Sequence, residues 1–239
     1  MQLDVPGHDE GQHEALALQR WKGNGAVQLL RADPHRWVML LERAHAGEDL
    51  GELWDVEACE VVGGLYRRLH VPAVPQLRPL SGYVSRWTDE LSRLPRDAPL
   101  PRRLVEQAVS LGRSFLEDPT TDGVLIHGDL HYANVLAADR EPWLVIDPKP
   151  VSGDPHYEVA PMLWNRWDEV LASGSVRDAV RRRFHAVVDA AGLDEDRARD
   201  WVVVREMHNA MWGLRHGRAE SGNGEDTTVC VTIAKAVQG

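Results

Sequence analysis

Between Val124 and Lys149 the sequence VLIHGDLHYANVLAADREPWLVIDPK alternates three short apolar runs with polar breaks, and no run is long enough for a helix. Residues 124–126, 135–137 and 143–146 read as buried strands, the last two joined by the turn-prone stretch 138–142. That pattern commits the segment to a hairpin, which brings Asn134 and Asp147 to one edge of a sheet although they lie far apart along the chain. The first strand delivers His127, Gly128 and Asp129 into a loop beside that edge. One amide oxygen and one carboxylate suit a hard cation there, and a neighbouring carboxylate suits work on a proton.

The spacing sharpens this reading. Asp129 is followed five positions later by Asn134, and thirteen after that by Asp147. These are the intervals of a phosphoryl-transfer centre of the protein-kinase kind. In that reading Asp129 is catalytic and faces the hydroxyl to be phosphorylated, while Asn134 and Asp147 hold magnesium against the phosphates of ATP. Turn chemistry would account for any one of these residues. It does not account for three at the required intervals, each against a strand of the right length. Pro148 stands where switchable protein kinases carry a Phe, and no activation segment of the usual kind follows, so a small molecule rather than a protein is the expected acceptor.

With 239 residues and 43% hydrophobic content the chain can form one large domain, or a small lobe and a larger one. A net charge of −10 argues against nucleic acid and anionic membrane as partners, because both depend on clustered positive charge. An acidic surface favours the approach of a cationic ligand, although mild acidity also simply keeps proteins soluble. Cys59 and Cys230 are too few for a disulfide framework and lack metal-ligand spacing; MQLDVPGHDE has neither the basic region nor the apolar core of a leader. A cytoplasmic setting is expected. Nothing in the sequence sets the oligomeric state.

Around the hairpin, residues 8–21 read as a helix with Glu14, Leu18 and Trp21 on one face, ended by the turn 23–25. Residues 27–30 and 37–41 read as strands around the turn 32–36. Core helices are expected where Ala58, Val62, Leu65, Tyr66 and Leu69, then Leu104, Ala108, Leu111 and Phe115, recur at helical spacing. Val176, Val180, Phe184, Val187 and Ala191 mark another, and Val204, Met207, Met211 and Leu214 a further one, while the proline-rich 72–79 reads as extended.

HGDLHYANVL followed by VIDPKPVSGDPHYEVAPMLWN resembles the aminoglycoside phosphotransferase superfamily, most closely its streptomycin 6-kinase and hydroxyurea phosphotransferase branch. EGQHEALALQRWKGNGAVQLL and WVMLLERAHAGEDL are similar to the family's segments just before and at the nucleotide hinge, so the resemblance spans about residues 8–217. It implies an α+β, protein-kinase-like two-lobe fold. Residues 1–44 would be a small, incomplete N-terminal nucleotide-binding lobe with its hinge, and 45–239 the larger, mainly helical lobe for catalysis and substrate. It also implies ATP- and Mg2+-dependent phosphorylation of a hydroxyl on a small antibiotic, streptomycin first, with hydroxyurea as the alternative. Backbone groups of Glu42 and Ala44 would bond the adenine edge, and Glu14 would pair with a phosphate-contacting lysine.

Several other residues are candidates. His127 is read as a loop brace, since an imidazole can bond backbone on both sides, and His131 as a neighbour of the phosphates or the substrate. Asp154, in SGDP, reads equally as loop scaffold and as site wall. Trp164, Asn165, Trp167 and Asp168 can line a sugar pocket or pack as an ordinary amphipathic helix, the second being favoured for Trp167. Glu158, Asp168 and Glu206 are the carboxylates expected to meet a guanidinium-bearing substrate.

One departure from the family stands out. Its Gly-rich loop and phosphate lysine are not found ahead of the matched segment: the first lysine is Lys22, and Gln2 or a neighbour sits about where the lysine is expected. Gly23-Asn24-Gly25 follows a helix, the wrong context for aiming amides at phosphate. Glu14 is therefore expected to lack its partner, and the chain from Met1 to bind ATP weakly. A non-catalytic remnant that binds ligand without phosphoryl transfer is the competing reading.

Overall fold

The computed structural model describes residues 10–33, 35, 36, 38–216 and 226–238. Gln2, and Trp37 at the start of the expected second strand, lie outside them. The expected first helix is α1 (Glu10–Trp21), which buries Ala17, Leu18 and Trp21. It stops where Lys22 and Gly23 take left-handed φ angles of 52° and 81°. The strands β1 (Leu29–Asp33) and β2 (Val38–Leu41) follow as an antiparallel hairpin with a register irregularity between Leu29 and Arg31. Leu30, Val38 and Leu40 are exposed on it.

Two three-stranded sheets frame the centre of the molecule. One orders β3 (His45–Asp49), β6 (Val135–Ala137) and β7 (Trp143–Val145); the other orders β4 (Val71–Pro72), β5 (Val124–Ile126) and β8 (Val151–Gly153). The expected hairpin is β6–β7, with Val135 opposite Val145 and Ala137 opposite Trp143. The chain passes from β5 of one sheet to β6 of the other through residues 127–134, which places the Asp129 loop between the sheets. The segment at Ala26 joins from outside: Val27 N–H donates to the Val145 carbonyl at 3.0 Å and Val145 N–H to the Gly25 carbonyl at 2.9 Å. The segment after α1 is thus zipped onto the β6–β7 hairpin.

Helices make up the rest: α2 (Asp55–Leu69), α3 (Leu80–Ser92), α4 (Arg102–Glu117), α5 (Trp167–Ala172), α6 (Val176–Ala191), α7 (Glu195–His216) and α8 (Thr227–Ala236). Helical periodicity located α2, α4 and α6, whose repeating apolar residues are largely buried. Gly63 lets α2 and α6 touch, because a Cβ there would stand 2.5 Å from the Ala190 Cβ. Arg183 of α6, itself buried, donates to Asp55 Oδ2 at the start of α2 at 3.1 Å.

Helix α7 differs from the amphipathic helix expected on Val204, Met207, Met211 and Leu214. From Trp201 through Met211 every residue is buried, including Arg205, Glu206, His208 and Asn209, while Leu214 is exposed. Other elements cover it on all sides, so the one-face pattern does not apply. Helix α3 and strand β8 were not anticipated from the sequence. No helix among the described residues is long and apolar enough to cross a membrane.

Candidate active site

The loop between the sheets is held by backbone contacts before it does any chemistry. His127, fully buried, points Nε2 at the Ile146 carbonyl at 2.9 Å and receives the Asp129 N–H on Nδ1 at 3.2 Å. The partners assign the proton to Nε2, and burial holds this imidazole below its ordinary range, so it braces the loop as a neutral ring. Both nitrogens are engaged by backbone, which removes His127 as a metal ligand. Gly128 takes a φ of 86°, a backbone angle that glycine adopts without strain.

Asp129 then presents its carboxylate into the site. His131 Nε2 stands 3.9 Å from Asp129 Oδ2, with both side chains partly exposed. Asn134 donates Nδ2–H to the Asp129 carbonyl at 2.8 Å, and its own N–H is bonded to the His131 carbonyl. With the amide nitrogen so used, Oδ1 is the atom of Asn134 suited to a cation. Across the hairpin the Asn134 carbonyl accepts from Ile146 N–H at 3.0 Å, locking Asn134 one residue from Asp147 in space. Asp147 adopts a left-handed φ of 50°, uncommon for an aspartate and frequent at functional turns. The structure thus brings Asp129, His131, Asn134 and Asp147 together. Their donor set is oxygen from one amide and one carboxylate, which fits magnesium held by few protein groups plus phosphate.

Glu158 lies in the 3₁₀ stretch Pro155–Met162, fully buried behind the loop. Oε1 accepts from Gly128 N–H and Oε2 meets His70 Nε2, each at 2.8 Å. Burial alone would raise its carboxyl, yet the bonds from His70 and Gly128 hold it below the usual range. Expected as a substrate contact, it is spent on the Asp129 loop and on His70. Arg205 works beside it, donating to the carbonyls of Gly128 at 2.9 Å and Tyr157 at 3.0 Å. Sequence reading passed over Arg205. The signal was present, since an arginine inside the apolar run WVVVREM must be buried and paired.

The other candidates separate. Asp154 is a scaffold residue: one oxygen takes the His156 N–H and ring, the other the Arg197 guanidinium and the Trp201 indole at 2.6 Å. Asn165 receives Tyr132 N–H at 3.2 Å and donates to the Pro161 carbonyl at 2.7 Å, pinning the loop to the 3₁₀ stretch. Trp164 and Trp167 are buried core, Trp164 beside the Arg205 guanidinium, and Asp168 is exposed on the first turn of α5. Glu206 is buried on α7 beside Cys230, where burial raises its carboxyl to about 8, so it is neutral and enclosed.

Glu42 and Ala44, expected at the adenine edge, lie in the extended link between β2 and β3. The Glu42 N–H donates to Gln28 at 2.8 Å and its carboxylate is clamped by Arg140 at 2.7 and 2.8 Å. Arg140 also bonds the carbonyls of Gly23 and Ala26, so it fastens the hinge to the hairpin turn. Glu14 of α1 faces the site. Burial and the Asp147 charge raise its carboxyl to about 7, opposed by Lys149.

The α+β architecture is that of a protein-kinase-like fold, and the relatives it matches are small-molecule kinases. The chain belongs to the aminoglycoside/hydroxyurea antibiotic resistance kinase family, which it matches over residues 5–217. Over its full length it is 37% identical to a streptomycin 6-kinase of Streptomyces glaucescens, covering 76% of that protein. It is 36% identical to a hydroxyurea phosphotransferase of Kitasatospora aureofaciens, across 99% of this chain and 68% of that one. Among solved structures, the aminoglycoside phosphotransferase APH(4)-Ia shares the fold with a TM-score of 0.60 at 17% identity, over 99% of this chain and 89% of the other.

Proposed function

We propose that this chain transfers the terminal phosphate of ATP to a hydroxyl of a streptomycin-type aminoglycoside, with Mg2+ held by Asn134 and Asp147. The observation that carries the reading is the tie between Asn134 Nδ2 and the Asp129 carbonyl at 2.8 Å, which fixes the proton-handling loop to the metal edge. Phosphoryl transfer needs little covalent help from protein; it needs a metal, an aligned acceptor and charge compensation. Asp129 orients the acceptor hydroxyl and takes up its proton, and His131 lies beside it. Glu42 and Ala44 offer backbone groups to the adenine edge, and Asp168 is the exposed carboxylate available to a cationic acceptor. Asn134 and Asp147 would hold magnesium, which when bound would supply neutralisation of the charge that develops.

Hydroxyurea is the second reading, supported by 36% identity to a hydroxyurea phosphotransferase. Incubating the chain with MgATP and each compound, then following ADP release and a phosphate mass increment on the acceptor, tests both. Streptomycin modification supports the first reading; modification of hydroxyurea alone reverses the ranking. Nucleotide binding without transfer to either favours a ligand-binding role.

A further inference from the structure

Lys149 stands next to the metal edge and has no role in the reading so far. Its Nζ donates to Asp147 Oδ1 at 2.9 Å, and its side chain is only 15% exposed. Its backbone N–H donates to the His127 carbonyl at 2.8 Å. The residue is therefore fixed at both ends, main chain on the catalytic loop and ammonium on the carboxylate assigned to the metal.

We infer that Lys149 is a phosphate-contacting residue: its ammonium meets the phosphates of a nucleoside triphosphate whose metal is held by Asp147. The inference rests on the kinase reading above. A phosphate oxygen sharing a magnesium ion with Asp147 would lie roughly 3–4 Å from the Asp147 oxygen, between √2 and twice the metal–oxygen distance. An ammonium already 2.9 Å from Asp147 Oδ1 reaches such an oxygen by rotating its last bonds. A dication on Asp147 weakens the attraction that keeps Lys149 there, and its three donors turn to the most anionic neighbours, the phosphates. A purely stabilising role explains less, because Asp147 is half exposed and pairs of that kind add little to stability.

Calorimetric titration of adenosine, ADP and ATP in Mg2+ into the full chain and into Lys149→Met, Lys149→Gln and Lys149→Arg tests this. Adenosine affinity should be unchanged in all variants. MgATP should bind about tenfold or more weakly to K149M and K149Q, the loss expected for a bond to a charged group, with K149R closer to wild type. Unchanged or tighter MgATP binding in K149M would overturn the inference, since a lysine that merely fills the metal position hinders the metal. Equal weakening for adenosine would also overturn it, showing distortion rather than a lost phosphate contact. Wild-type protein that binds neither adenosine nor ATP would remove the kinase reading along with this one.

Discussion

The Trp21 indole lies nearly parallel to the His127 imidazole, with ring centroids 6.3 Å apart and planes 11° apart. Trp21 also donates to the Leu69 carbonyl at 2.8 Å. One side chain of α1 therefore touches the catalytic loop and the end of α2 together. Truncation as Trp21→Ala should cost about 3–5 kcal/mol of stability, read from urea unfolding. Trp21→Phe should recover much of the loss. Wild-type stability in the alanine variant would mean that α1 is not fastened here.

The two site aspartates should fail differently. Asp129→Asn should lower kcat by about 10²–10⁴-fold while leaving MgATP affinity nearly intact, since it removes proton handling and not the metal. Asp147→Asn keeps a side chain tolerant of the left-handed turn but loses a metal-ligand charge, so it should weaken Mg2+-dependent ATP binding as well. Turnover and calorimetry across Mg2+ concentrations separate them; small, equal effects contradict the assignment.

Buried α7 should write two opposite limbs into the pH profile of stability. Burial raises Glu206 from 4.5 to about 8, so the folded state holds a proton that the unfolded chain releases, and stability falls as pH rises across that interval. Burial lowers His208 from 6.5 to about 3, so the stability present above 6.5 is lost as pH falls toward 3. Thermal melts should therefore show Glu206→Gln flattening the alkaline limb and His208→Gln the acid one. An unaltered profile in either variant rejects its assignment.

A cationic acceptor should bind less tightly as salt rises, because a chain of net charge −10 attracts it partly over distance. Uncharged hydroxyurea should show no such slope. Titrating each ligand between low and high sodium chloride checks this, and a flat response for streptomycin argues against an acidic acceptor pocket.

The loop and hairpin that carry Asp129, Asn134 and Asp147 were legible because they are local: strands of three residues follow directly from the spacing of the apolar runs. Residues whose duties depend on distant partners were not. Glu158 is carboxylate-rich chemistry on paper, yet His70 and Gly128, far away in sequence, claim both its oxygens. Glu206 sits on a helix enclosed all round, a condition that one-face periodicity does not reveal. The role of Trp21 depends on a helix end meeting a loop more than a hundred residues later. Glu42, expected at a hinge, lies in the link between β2 and β3, and its clamp, Arg140, sits in a turn with no distinguishing signal.

The pairing of Val27 and Gly25 with Val145 has a mechanical consequence. Lifting the segment that follows α1 away from the β6–β7 hairpin would break two main-chain bonds at Val145, two residues before Asp147.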